Sequence, residues 1–214
     1  MLKNLLVVSA LAASMPAYAA IDVTYDSGPS AIDPSSVIIE DFEGYNSGDA
    51  LPGVNAAVFD NSVEGIAARP AFNSTGNFGA VLGEPSDGNY TINFAASSLF
   101  SFALGSLDTY NTLTLLLSNG SELDFVGAGI NEGLIANGNQ ASPNTNGRVT
   151  YTVNGGPLII GARFASTSNS FEYDDLAITA AVPEPATWMM MILGFGAVGF
   201  GMRRRRSAGT AAFA

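Results

Sequence analysis

The side chains that most often carry chemistry are absent from this chain. Its 214 residues include no histidine and no cysteine. A Ser-His-Asp triad needs an imidazole to take the serine proton, and a thiol nucleophile needs a cysteine, so both are excluded. Zinc loses its usual imidazole and thiolate ligands as well. What remains is carboxylate chemistry. Eighteen of the nineteen acidic residues lie between residues 20 and 182, against only Arg69, Arg148 and Arg163, so this stretch carries a net charge of −15 although the whole chain carries −11. That charge repels phosphates, which excludes nucleic acid as a partner, and it favours cations. A matched pair of carboxylates can hydrolyse a glycosidic bond, one protonating the leaving oxygen while the other attacks or activates water. The adjacent Asp174 and Asp175 are poor candidates for such a pair, because neighbours on a strand face opposite ways. Tyr45, Tyr110 and Tyr173 are candidate platforms for stacking a sugar, against the plainer reading that they sit at the edge of the core with their hydroxyls at the surface. The one tryptophan, Trp188, lies outside this stretch, which weakens the sugar-binding case.

The elements that must position these groups read as strands. Val37 to Phe42, Tyr90 to Phe94, Phe100 to Leu104, Leu113 to Leu117, Glu122 to Val126, Val149 to Val153, Leu158 to Phe164 and Phe171 to Ile178 show strand-like patterns. Asn119-Gly120 between two of them predicts a type I′ hairpin, in which both residues take positive φ. Residues 27–36 and 130–147, rich in turn-forming residues, predict irregular segments. No long segment has a helical period and no internal repeat is present. Residues 20–182 are enough for one domain with its own core, and without cysteine no disulfide braces it. Strands at this spacing predict an all-β body, an antiparallel β-sandwich.

The two ends have a different character. Lys3 precedes the apolar run Leu5 to Ala13, then Met15-Pro16 and Ala17-Tyr18-Ala19 follow. This is the order of a secretory signal peptide, residues 1–19, with Ala17 and Ala19 filling the small-residue positions of signal peptidase and the cut after Ala19. Residues 186–202 contain no charge; as a helix they extend roughly 25 Å, close to the short limit for a single transmembrane helix. Arg203, Arg204, Arg205 and Arg206 follow at once and keep that end cytoplasmic, leaving residues 207–214 as a cytoplasmic tail. Trp188 stands near the outer interface, where an indole is favoured. Just before the span, Pro183-Glu184-Pro185 can join neither a helix interior nor a central strand. It reads either as an extended substrate for a membrane-embedded protease or as a plain linker to a tail anchor.

Pro183-Glu184-Pro185-Ala186-Thr187-Trp188, the Met- and Gly-rich helix with Gly194-Phe195-Gly196, and the arginine block together resemble the PEP-CTERM sorting signal, here over residues 183–206. The resemblance implies export through the Sec machinery of a Gram-negative bacterium and processing by exosortase, a multi-pass membrane enzyme that cuts near the Pro-Glu-Pro segment. The precursor is then a transient single-pass membrane protein with its body in the periplasm. The released body goes to the cell surface or the extracellular matrix, in association with exopolysaccharide and biofilm. Glu184 is a recognition residue in this scheme. Residues 105–113 also resemble a stretch found in PEP-CTERM proteins of unassigned function.

Two body segments resemble secreted jelly-roll modules: Asp41-Phe42-Glu43-Gly44-Tyr45 their opening strand, and Phe171 to Ile178 their closing strand. That likeness implies first and last strands side by side, with Asp41 and Glu43 near Asp174 or Asp175. Calcium takes six to eight oxygens from carboxylates, carbonyls and water, so a structural calcium is a candidate there, with no cofactor certain; the other reading is that these acids are solvated strand ends and turn formers. The expectation for the whole is a non-catalytic exported surface or matrix protein. The alternatives are a secreted carbohydrate-binding module and a glycan-active hydrolase with paired carboxylates.

Overall fold

Period-two alternation organises the strands of the computed structural model, which describes residues 20–180, 189 and 191–199. In β1 (Ile21–Ser27), Ile21, Val23 and Tyr25 turn inward while Asp22, Thr24 and Asp26 face solvent. All pairings between strands are antiparallel. One layer runs β4 (Ala56–Phe59), β5 (Phe78–Val81), β11 (Phe171–Ala180), the second half of β6 (Gly88–Leu104), β9 (Gly147–Val153) and β1, and β2 (Val37–Glu40) pairs with the later part of β11. The other runs β3 (Gly53–Val54), the first half of β6, β10 (Ile159–Ser166), β7 (Asn111–Leu117) and β8 (Glu122–Val126).

The 17-residue β6 belongs to both layers. The rings of Phe94 and Phe100 stack with centroids 5.3 Å apart, whereas six extended residues span about 20 Å. The strand therefore folds over between them. The registers agree: Ile159 and Gly161 of β10, two apart, face Ser97 and Asn93, four apart. Such extra residues bend a strand at the corner of a sheet.

Rings from both layers fill the space between them. Phe164 of β10 lies 4.1 Å from Tyr173 of β11 in a stacked arrangement and 5.1 Å from Phe102 of β6, edge-on. Tyr90 stacks on Tyr173 at 5.6 Å, and Phe42 and Phe171 close the cluster. All six rings are buried. Each removes roughly 150–250 Å² from water, and their edge-on and stacked contacts add to that burial.

Several expected elements differ in detail. The predicted strands at 90–94 and 100–104 are one bent strand. Residues 41–45, expected as an opening strand, form a turn: Phe42 has φ +59°, its N–H donates to Glu40 Oε1 at 2.9 Å, and the Tyr45 N–H donates to the Phe42 carbonyl at 3.1 Å. At the β7–β8 hairpin only Gly120 has positive φ (+83°). Its N–H donates to the Leu117 carbonyl at 2.9 Å, so the connection is a Leu117–Gly120 turn ending in a left-handed glycine, not type I′. Asn119 instead uses its Oδ1 to accept from the Ser121 N–H and hydroxyl at 3.0 and 2.7 Å. The irregular stretches around 28–36 and 132–146 are as expected, and a 3₁₀ turn fills Gly127–Asn131.

Beyond Ala180 a second unit begins. Its residues 191–199 are helical, with Ile192, Leu193, Phe195 and Val198 exposed. Among the described residues no helix is long and apolar enough to cross a membrane. Ala17 and Ala19 of the expected signal peptide, the motif residues Pro183, Glu184, Pro185 and Trp188, and Arg203, Arg204, Arg205 and Arg206 lie outside the described residues.

The ring cluster gives a direct prediction. Phe164→Ala lowers the unfolding free energy by about 3–5 kcal/mol in urea titration, while Val126→Ala, at a 57% exposed position, changes it by less than about 0.5 kcal/mol.

Candidate functional site

Two groups of ionisable side chains are buried in the body. The first surrounds Arg148, on β9 opposite Asp26 of β1. A bulge in β11, where Asp174 to Ala177 spans the length of Ala103 to Ser101 on β6, puts Asp175 at φ +47°. The Asp175 carbonyl accepts from Arg148 Nη1 at 3.3 Å, and its Oδ2 lies 3.8 Å from Nη2. The arginine is 2% exposed. Burial pulls its pKa down, while Asp175, Asp174 and Asp26 hold it up.

Of the four acids expected to share a cation, Asp174 and Asp175 stand at this bulge. Pairing of β2 with β11 sets Glu40 opposite Leu176, and the turn that follows brings Asp41 and Glu43 close enough to repel the Asp175 carboxylate. Each acid also has local work. Asp41 Oδ1 accepts from the Glu43 N–H at 3.1 Å, Glu43 Oε1 from the Asn77 N–H at 2.8 Å, and Asp174 Oδ1 from the Asp175 N–H at 2.7 Å. A side chain at Gly76 would collide with the Glu43 carboxylate, so glycine lets the two segments meet. Among the described residues no group of three or more acidic side chains is arranged to hold a metal ion. The Arg148 guanidinium lies near Asp175, Asp174 and Asp26. Asp174 is 1% exposed, and burial pushes its pKa up to about 7, with the Asp175 N–H pulling the other way.

The second group lies on the floor of a polar cavity of about 250 Å³. Glu172, on β11, is 2% exposed. Its Oε1 accepts from the Ala68 N–H at 2.9 Å and from the Ser170 hydroxyl, and its Oε2 from the Ser106 hydroxyl at 3.3 Å. Burial still pushes its pKa up against these bonds. Gly105 makes room for it, since a Cβ there would fall 2.6 Å from that of Glu172. Asp108 forms part of the wall. Its Oδ2 lies 2.8 Å from the Tyr110 hydroxyl, which is also 2.7 Å from the Asn169 carbonyl. Burial raises the Asp108 pKa, and the Tyr110 contact opposes that rise. Gly138, at φ +66°, backs the carboxylate; a Cβ there would sit 2.6 Å from both its oxygens. Asn137, Gln140 and the half-exposed Val63 and Ile66 complete the mouth.

Glu172 and Asp108 escaped the sequence reading. A glutamate between two aromatic strand residues looks like an outward position, and nothing in the order of residues shows that loops 62–70 and 105–110 fold over it. Of the proposed sugar platforms, Tyr173 is fully buried among the rings and cannot serve. Tyr45 is half-buried against Phe42, 6.4 Å away. Tyr110 stands at the cavity.

Residues 181–206 match the family model described as the PEP-CTERM protein-sorting motif. The chain carries a PEP-CTERM sorting motif. The match begins one residue after β11 ends at Ala180, so it describes the tail and leaves the activity of the body unassigned. The motif marks an exported protein targeted to exosortase, which is its processing partner at the membrane of a Gram-negative bacterium. No curated protein matches the chain.

The raised Asp174 pKa makes stability depend on pH with a definite sign. Below about pH 4 neither state ionises at this position. Between about 4 and 7 only the unfolded chain gives up the proton, so stability falls as pH rises through that window and levels off above it. Glu172 acts in the same direction. The urea midpoint is therefore expected to be higher at pH 5 than at pH 7.5. Asp174→Asn keeps an acceptor for the Asp175 N–H and is expected to shrink the difference.

Proposed function

We propose that this chain is a non-catalytic surface or matrix protein whose folded body is delivered by exosortase. Signal peptidase removes residues 1–19 after Ala19 during Sec export. Residues 186–202 then hold the C-terminus in the inner membrane, with Arg203 to Arg206 on the cytoplasmic side and the body in the periplasm. Exosortase cuts near Pro183-Glu184-Pro185, and the body passes to the cell surface or the extracellular matrix, in company with exopolysaccharide.

The observation that carries this reading is the junction at Ala180. The last strand, bonded to β2, β5 and β6, is finished before the sorting motif starts. A cut at 183–185 removes no strand residue, so processing and folding do not compete. The exposed apolar side chains of residues 191–199 suit a lipid surrounding better than water. The two antiparallel layers, with β2 beside β11, favour the jelly-roll-like sandwich.

A non-catalytic role is supported by the absence of histidine and cysteine. The two cavity carboxylates also fit hydrolysis poorly. A glycosidase needs two carboxyl groups free to reach the substrate, whereas both Glu172 oxygens are engaged by the Ala68 N–H and the Ser170 and Ser106 hydroxyls. The second reading, a sugar-binding module delivered by the same route, is favoured by the polar cavity itself.

Processing is tested in the native host by immunoblotting fractionated cells. Wild-type chain is expected as a shortened, released form. Glu184→Ala, and replacement of Arg203 to Arg206 by serine, are expected to leave the longer precursor in the inner membrane, as does loss of exosortase. Equal release of wild-type and variant chains in the presence and absence of exosortase contradicts the proposal.

A further inference from the structure

We propose that the cavity above Glu172 seats one neutral, hydroxyl-rich sugar residue of a polysaccharide. The cavity is concave, about 250 Å³, and lined largely by polar groups, as a small-ligand site with convergent hydrogen-bonding groups should be. Its lining includes two carboxylates, Glu172 and Asp108, and no lysine or arginine. An anionic ligand, a phosphate or a uronate, would face these two carboxylates with no cationic side chain in the lining to offset their repulsion. A sugar hydroxyl, in contrast, donates well to a carboxylate.

The free hydrogen-bonding capacity points the same way. Asp108 Oδ2 faces the Tyr110 hydroxyl, while its Oδ1 makes no hydrogen bond among the described residues. Among the described residues the Asn137 amide nitrogen and both ends of the Gln140 amide are likewise uncommitted, though Asn137 Oδ1 accepts from the Asn139 N–H at 3.3 Å. The cavity thus offers acceptors and donors together, the mixture that a ring of hydroxyls satisfies. Val63 and Ile66, each 40% exposed, stand at the mouth and give the C–H face of a pyranose an apolar surface. Glu172 forms the floor with both oxygens already engaged, which sets the depth of the site without supplying a free acid.

A chain ligand has somewhere to continue. Tyr110 also lines a second, open cavity of about 500 Å³ that runs over Thr91, Thr112 and Arg163 on the outer face of β6, β10 and β7. A polysaccharide with one residue in the Glu172 cavity can pass Tyr110 and lie along that groove. This deepens the exopolysaccharide association proposed above. Sorting does not depend on it, since the cavity lies in the body and the motif follows it.

Saturation-transfer NMR on protein purified from the native host tests the site. The probes are cellobiose, mannobiose, galactobiose and their uronate-containing counterparts, with calcium chloride alone as a further titration. At least one neutral disaccharide is expected to give transfer from the ring protons, and the uronates none. Asn137→Ala combined with Gln140→Ala, both at exposed loop positions, is expected to weaken binding at least tenfold with no change in melting temperature and no change in processing. Absence of binding to every neutral probe, equal binding of uronates, a response to calcium alone, or binding indifferent to the double substitution would each overturn the proposal. Loss of binding with normal release leaves the sorting role standing.

Discussion

The body depends on a single strand that serves two layers. β6 gives its first half to β3 and β10 and its second half to β9 and β11. Because the strand doubles over between Phe94 and Phe100, the layers are covalently fixed at one corner, and the Phe164–Tyr173 stack joins them in the middle. β11 owes its position to this arrangement. It is held by β6 on one side and by β5 and β2 on the other, so it can carry a buried glutamate at one end and finish cleanly at the other.

Burying charge in so acidic a body demands local compensation. An unpaired ion in the interior is costly, so such groups must find partners or shift toward neutrality. Arg148 takes the first course through Asp175, whereas burial pushes Glu172 toward the second and the donors from Ala68, Ser106 and Ser170 oppose that shift. Two of the acids, Glu172 and Glu43, are approached closely where glycine leaves room. Gly105 lets Ser106 lie against Glu172, and Gly76 lets the Asn77 N–H reach Glu43.

Much of this was legible from residue order. The alternation in Val149, Tyr151 and Val153, in Leu113 to Leu117, and in Phe171 to Ile178 marks strands because one face of each must be apolar. The jelly-roll likeness pointed to an early strand beside the last one, and β2 does pair with β11. What was not legible depended on contacts distant in sequence. β4 and β5 are strands of only four residues each, too short for a clear period, and β1 follows closely on the apolar run Leu5 to Ala13. Glu172 becomes a cavity floor only because Ala68 and Ser106 reach it across 104 and 66 residues. The tail is the opposite case. Its proline, tryptophan and arginine spacings act in linear order, so they can be read without any fold.

The account joins a sorting tail to a body that is complete without it. The decisive quantity is the intact mass of the mature protein isolated from its native host. The account predicts a chain that starts at Ala20 and ends near Val182 to Pro185, retaining every strand, with any extra mass on that new C-terminus. A mature chain that still contained Trp188 and the arginine block while exosortase was active would contradict it.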